Sequence, residues 1–121
     1  MTFADLNLNN QLQSALAEMG ITKPTAIQAK SFAPIMAGRD VIGIAQTGTG
    51  KTFAYLLPCL RLWRFTKSPF PQVLIIVPTR ELVTQVTQEV EKLTEFMSVE
   101  VVGVYGGTHI KKHKADVEDE V

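Results

Sequence analysis

Apolar residues recur along this chain with two different periods. Leu12, Leu16 and Met19 step at helical spacing, and Gly20 follows where a C-cap glycine belongs, which predicts a helix over about 9–19. Thr25 after Pro24, with Gln28 three residues on, matches a capping box and predicts a second helix from Thr25 to about Phe32. Pro34 should then break or kink it, because proline has no N–H and crowds the preceding turn. Gly38-Arg39-Asp40 reads as a turn, and Val41–Ala45 as a short buried strand. A third helix is expected from Lys51 to about Phe65, followed by a loop marked by Pro69 and Pro71. Val73–Val77 is continuous and rich in β-branched residues and stops at Pro78, the pattern of a strand covered on both faces. Val83, Val86, Val90, Leu93 and Met97 follow with alternating three- and four-residue steps, an amphipathic helix. Val99–Tyr105 reads as a third strand ended by Gly106-Gly107, and the polar stretch 108–120 as a weakly apolar helix. Strands alternating with helices imply right-handed crossovers and a parallel sheet flanked by helices, an α/β fold.

Composition narrows this picture. The chain has 121 residues, 45% hydrophobic and 20% charged, which fits one globular domain and excludes a disordered tail or a coiled coil. Twelve basic and twelve acidic residues cancel, so a whole-chain basic field for nucleic acid is absent and only a local patch remains open. One cysteine, Cys59, excludes an internal disulfide and a cysteine cluster for a metal, and suits a reducing compartment. No apolar run is long enough for a membrane helix, and Met1-Thr2-Phe3-Ala4-Asp5 has neither a basic start nor an apolar signal core, so a cytoplasmic location is expected. His109 and His113 are four apart, but no third ligand accompanies them, and a solvated tail is the simpler reading. Arg61, Arg64 and Lys67 read as a solvated helix end, and Trp63 as core or partial surface.

The sharpest chemical signal is Ala45-Gln46-Thr47-Gly48-Thr49-Gly50-Lys51-Thr52, which follows a strand and opens a helix. That is the context of a phosphate-binding loop. Small residues let successive backbone N–H groups curl around phosphate oxygens, and the helix N-terminus adds donors and partial positive charge. Lys51 would reach the β- and γ-phosphates as a point charge, and Thr52 would place its hydroxyl on Mg²⁺. The strict pattern begins with glycine, where this chain has Ala45.

Three further segments accompany the loop in order. Gly20-Ile21-Thr22-Lys23-Pro24-Thr25-Ala26-Ile27-Gln28 precedes it, with Phe3 upstream; Pro78-Thr79-Arg80-Glu81-Leu82-Val83-Thr84-Gln85 follows the second strand; Gly106-Gly107 follows the third. Together they resemble the DEAD-box family of ATP-dependent RNA helicases over Phe3 to about residue 107. The resemblance implies a partial RecA-like nucleotide-binding domain, truncated, that uses ATP and Mg²⁺. It implies an ATP site of Phe3, Ile21, Lys23, Gln28, Gln46, Thr47, Gly48, Thr49, Gly50, Lys51 and Thr52, with Lys51 and Thr52 in the catalytic role and Gln28 pairing with the adenine edge. It also implies that Pro78, Thr79, Arg80, Glu81, Gly106 and Gly107 lie on a sequence-independent RNA backbone track. Each segment also has a plain structural reading. Gln28 completes a capping box, Phe3 fills a core, Thr79 caps a helix whose first turn carries Glu81, and Gly106-Gly107 ends a strand. The family pattern usually has alanine where Val83 stands.

Phosphoryl transfer in that family needs an Asp-Glu-Ala-Asp motif on a buried strand, and no such tetrapeptide occurs here. Asp116-Val117-Glu118-Asp119-Glu120 follows a polar run and is rejected as the metal site. The second RNA-binding motif, the Ser-Ala-Thr motif and the second RecA-like domain are absent too. The expectation is the first half of a first RecA-like domain, inactive as a helicase by itself. With sheet strands missing, it is also expected to self-associate through an unpaired edge. Two other readings stay open: a catalytically dead nucleotide- or RNA-binding regulatory module, and another P-loop enzyme such as a small kinase.

Overall fold

The computed structural model describes residues 1–46 and 50–106. A single 3₁₀ turn, Phe3–Asp5, opens the described chain, and helices α1 (Asn10–Glu18), α2 (Ala26–Met36), α3 (Lys51–Leu62) and α4 (Arg80–Leu93) follow. Local chemistry sets most of their ends. The Asn9 side chain accepts from the Leu12 N–H at 2.9 Å and starts α1. At its other end, Gly20 takes φ +74° while the Ile21 N–H reaches back to the Leu16 carbonyl at 3.0 Å. That closing bond is the six-to-one contact of a glycine C-cap.

Three expected boundaries are corrected. Helix α2 runs through Pro34 to Met36 rather than stopping near Phe32. The proline removes one hydrogen bond, to the carbonyl of Lys30, whose exposed position lets water replace it. The helix then ends in a second glycine cap, with Gly38 at φ +80° and the Arg39 N–H on the Pro34 carbonyl at 3.0 Å. Helix α3 ends at Leu62, not near Phe65, because the Gln72 amide clamps the Arg64 backbone, accepting from its N–H at 3.1 Å and donating to its carbonyl. Helix α4 ends at Leu93, so Met97 lies in the turn beyond it, its N–H on the Thr94 carbonyl at 2.9 Å, and still reaches the core.

Helix α2 lies along α3, and α1 touches α4. Leu12, Leu16, Leu56, Leu57 and Leu93 are almost fully buried between them. Each such side chain contributes about 1.5–3 kcal/mol of hydrophobic stabilisation. Phe3, Leu8, Phe32, Val86 and Val90 complete the cluster.

The three expected strands are not paired: among the described residues no strand ladder forms. Ile75 and Val77 pack on the core while their alternates Leu74 and Ile76 remain 81% and 85% exposed. Ile42 and Ile44 are 91% and 90% exposed. Residues 73–77 therefore keep the period-two pattern of a strand, but a ladder requires a backbone neighbour roughly 4.8 Å away. The second and third segments instead line a cavity of 480 Å³ with Leu56, Leu60 and Val86. Stretch 108–120, with His109 and His113, lies outside the described residues, as does Gly107.

Candidate nucleotide site

Gly50 is the N-cap of α3 and adopts φ +81°, ψ 30°. Only glycine takes this left-handed geometry without strain, and a Cβ here would also run into Gln28 Nε2 and the side chain of Thr25. Gly50 thus packs closely against Thr25 and Gln28 at the start of α2. Gly50 has no side chain to cap α3, and no acid sits in the first turn of the helix. The first N–H groups of a helix have no partner within it and carry partial positive charge, which suits an anion. Lys51 is exposed there and Thr52 half-buried. These features fit a nucleotide phosphate chain. Thr47, Gly48 and Thr49 lie outside the described residues, and Gln46 is exposed just before them.

Gln28 is 5% exposed and works in three directions. Its backbone N–H donates to Thr25 Oγ1 at 3.4 Å, its Oε1 accepts from the Thr25 N–H at 3.0 Å, and its Nε2 donates to the Gly50 carbonyl at 3.1 Å. The capping box read from the sequence is therefore real, and the same amide joins α2 to the cap of α3. An amide offers two donors and two acceptor positions. Among the described residues its oxygen takes one bond and its nitrogen gives one.

Phe3 is buried in the core at 5% exposure, its N–H 3.5 Å from the Thr22 carbonyl, so the residues flanking Ile21 and Lys23 are tied to the start of the chain. Ile21 packs against the core, and Lys23 is exposed. Two participants beyond the sequence reading appear. Tyr55 stands one turn after Thr52 on α3 and is half-buried. Burial pushes the Tyr55 phenol above its usual range, the side chain of Thr52 opposes that, and the charges of Cys59 and Glu89 add to the rise. The three-residue spacing of Thr52 and Tyr55 was the available signal. Ser31, the other, is buried beside α3 and gives no signal in the sequence.

The Pro78–Glu81 segment forms the entry to α4. Thr79 Oγ1 accepts from the Leu82 N–H at 3.2 Å, and Pro78, Arg80 and Glu81 are exposed around it. Gly106 is exposed with open space where a Cβ would stand. The third segment reaches α4 at Gly103, where a Cβ would lie 2.7 Å from Thr87 Oγ1. Among the described residues no group of three or more His, Cys, Asp or Glu could hold a metal, and no helix is long and apolar enough to cross a membrane.

Comparison with known proteins adds independent weight. Residues 25–121 match the family model described as DEAD/DEAH box helicase. The chain is 45% identical over 115 residues to ATP-dependent RNA helicase SrmB of Escherichia coli, covering 93% of this chain and 26% of that protein. It is 39% identical over 121 residues to the human probable ATP-dependent RNA helicase DDX46, covering 97% of this chain and 12% of that one. Among solved structures, a DEAD box protein from the hyperthermophile Methanococcus jannaschii superposes with TM-score 0.84 at 30% identity, covering 98% of this chain and 32% of its own. The RNA-helicase Prp28 from Chaetomium thermophilum bound to ADP superposes with TM-score 0.79 at 36% identity, covering 88% and 27%. The chain spans about a quarter or less of the length of these curated relatives. Its fold is that of the RecA-like domains of DEAD-box helicases. With the Gly50 cap opening α3, the bridging glutamine and a family match over residues 25–121, the chain belongs to the DEAD/DEAH box helicase family.

Proposed function

We propose that this chain is the ATP-binding part of an ATP-dependent RNA helicase that unwinds or remodels RNA, and that by itself it turns over no ATP at a helicase rate. The observation that carries the reading is the Gln28 amide joined to the Gly50 carbonyl at the cap of α3. A primary amide carries both a donor and an acceptor, the two functions that the adenine edge requires. Lys51 and the N–H groups opening α3 would hold the β- and γ-phosphates, and Thr52 would offer its hydroxyl to Mg²⁺. The bound metal would neutralise charge developing between the phosphates. Phe3 would support the base site from the core, with Ile21 and Lys23 beside the base and Gln46, Thr47, Gly48 and Thr49 around the phosphates. The Pro78–Glu81 turn, Gly106 and Gly107 would contact RNA sugar and phosphate, which positions a strand without reading its sequence.

The three extended segments would form a parallel sheet once strands from a longer protein lie between them. The exposed Leu74 and Ile76, and the cavity beside them, support that reading. In the 121-residue chain the same surface would drive self-association. A location in the cytoplasm fits the single reduced cysteine.

The test is nucleotide binding by the 121-residue chain with ATP and GTP in parallel. Gln28→Ala is expected to bring the ATP-to-GTP affinity ratio toward one, and Lys51→Ala to weaken both. An unchanged ratio for Gln28→Ala would count against base recognition. Full affinity in Lys51→Ala would sink the phosphate site.

A further inference from the structure

Pro58 stands in the middle of α3 and is almost fully buried. It has no N–H, so the carbonyl four residues earlier, that of Ala54, loses its usual helical partner. Ala54 is 8% exposed, which leaves little access for water. A buried carbonyl without a donor is costly to leave unmatched. The side chain facing it comes from the neighbouring helix. Ser31 Oγ, 5% exposed, lies 3.4 Å from the Ala54 carbonyl and 2.7 Å from the carbonyl of Ile27 in its own helix. One hydroxyl proton is thus shared between α2 and α3. Pro34 in α2 opens the same kind of gap at Lys30, but Lys30 is exposed and needs no such donor.

The Ser31 contact does not stand alone. Gly50 and Ala54 are four residues apart on α3, and Gln28 and Ser31 three apart on α2, so each pair lies one turn apart on one helix face. Gln28 serves the Gly50 carbonyl and Ser31 the Ala54 carbonyl. Two rungs then fix the axial register of α3 on α2, and Lys51 and Thr52 lie between them.

We propose that Ser31 is a positioning residue for the nucleotide site: by serving the carbonyl that Pro58 leaves open, it holds the first turns of α3, and with them Lys51 and Thr52, in register against α2. This rests on the ATP-site reading above. Lost register displaces the phosphate-binding groups together, and displacements of about 1 Å in such sites are costly.

The experiment compares wild type, Ser31→Ala, Pro58→Ala and the double variant. Three properties are read: urea stability, amide hydrogen exchange in α3, and affinity for a fluorescent ATP analogue and for adenosine. Ser31→Ala is expected to speed exchange at the start of α3 by about tenfold. It should weaken the ATP analogue several-fold and leave adenosine binding nearly unchanged. Pro58→Ala restores an N–H to the Ala54 carbonyl but no bond between helices. The double variant should therefore regain urea stability while its ATP affinity stays low. Recovery of ATP affinity together with stability would show a purely structural serine and overturn the proposal, as would unchanged exchange in Ser31→Ala. Should wild type bind no ATP while its exchange responds to Ser31→Ala, the nucleotide reading fails and takes the positioning role with it.

Discussion

Gly50→Ala and Gly38→Ala form a matched pair that isolates the closeness of the phosphate loop to α2. The two glycines share the same backbone geometry, φ +81° and φ +80°. An alanine in this left-handed region costs about 1–2 kcal/mol at either position. Their surroundings differ. A Cβ at Gly38 meets nothing within 4 Å, whereas one at Gly50 meets Gln28 Nε2 and lies 3.1 Å from both Thr25 Cγ2 and Thr25 Oγ1. Alanine at 50 must therefore push the Gln28 amide away and break its 3.1 Å bond to the Gly50 carbonyl. A buried polar group left without its partner costs about 1–3 kcal/mol. Gly50→Ala should thus be less stable than Gly38→Ala by about 1–3 kcal/mol, the strain common to both having cancelled. The assay is urea unfolding followed by circular dichroism, with equal denaturant slopes required before the two are compared. In a Gln28→Ala background the excess should shrink, since the clashing amide is gone. Equal destabilisation by the two glycine variants would refute the argument, because it would mean that α2 yields freely to the loop.

Two further outcomes follow from burial and from charge. Leu93→Ala removes a side chain at 0% exposure and should cost about 2–5 kcal/mol, whereas Leu74→Ala at 81% exposure should change stability by less than about 0.5 kcal/mol; urea midpoints decide, and equal costs would show that residues 73–77 are covered after all. The Glu95 carboxyl is held above its ordinary range, first by its hydrogen bond with Glu18, then by desolvation and by that neighbour's charge. A carboxyl raised in the folded state contributes stability that is fully present at pH below its unfolded value and lost as pH rises through the folded one. Glu95→Gln should therefore raise the melting temperature slightly at neutral pH and lose that advantage in acid; an advantage that grows in acid would reverse the sign of the Glu18–Glu95 coupling.

Much of this molecule was legible from residue order alone, and the reason is locality. The caps of α1, α2 and α4 rest on Asn9, Thr25 with Gln28, and Thr79, whose bonds span three residues. The phosphate loop was readable because its chemistry is carried by consecutive residues. Errors arose where a distant group decided. Gln72 ends α3 from eight residues away, and α2 passes through Pro34 where Lys30, four residues earlier, is exposed.

The sequence by itself determined the helices, the glycine-capped loop and the family, because helical period, capping and backbone freedom act over a few neighbouring residues. Tertiary structure alone decided three things. It placed the Gln28 amide on the Gly50 carbonyl, twenty-two positions on, and Ser31 beside the carbonyl vacated by Pro58. It also leaves the three strand-like runs without a ladder among the described residues. A strand pattern states which residues face a core, but a ladder exists only where another backbone lies beside it to accept the hydrogen bonds.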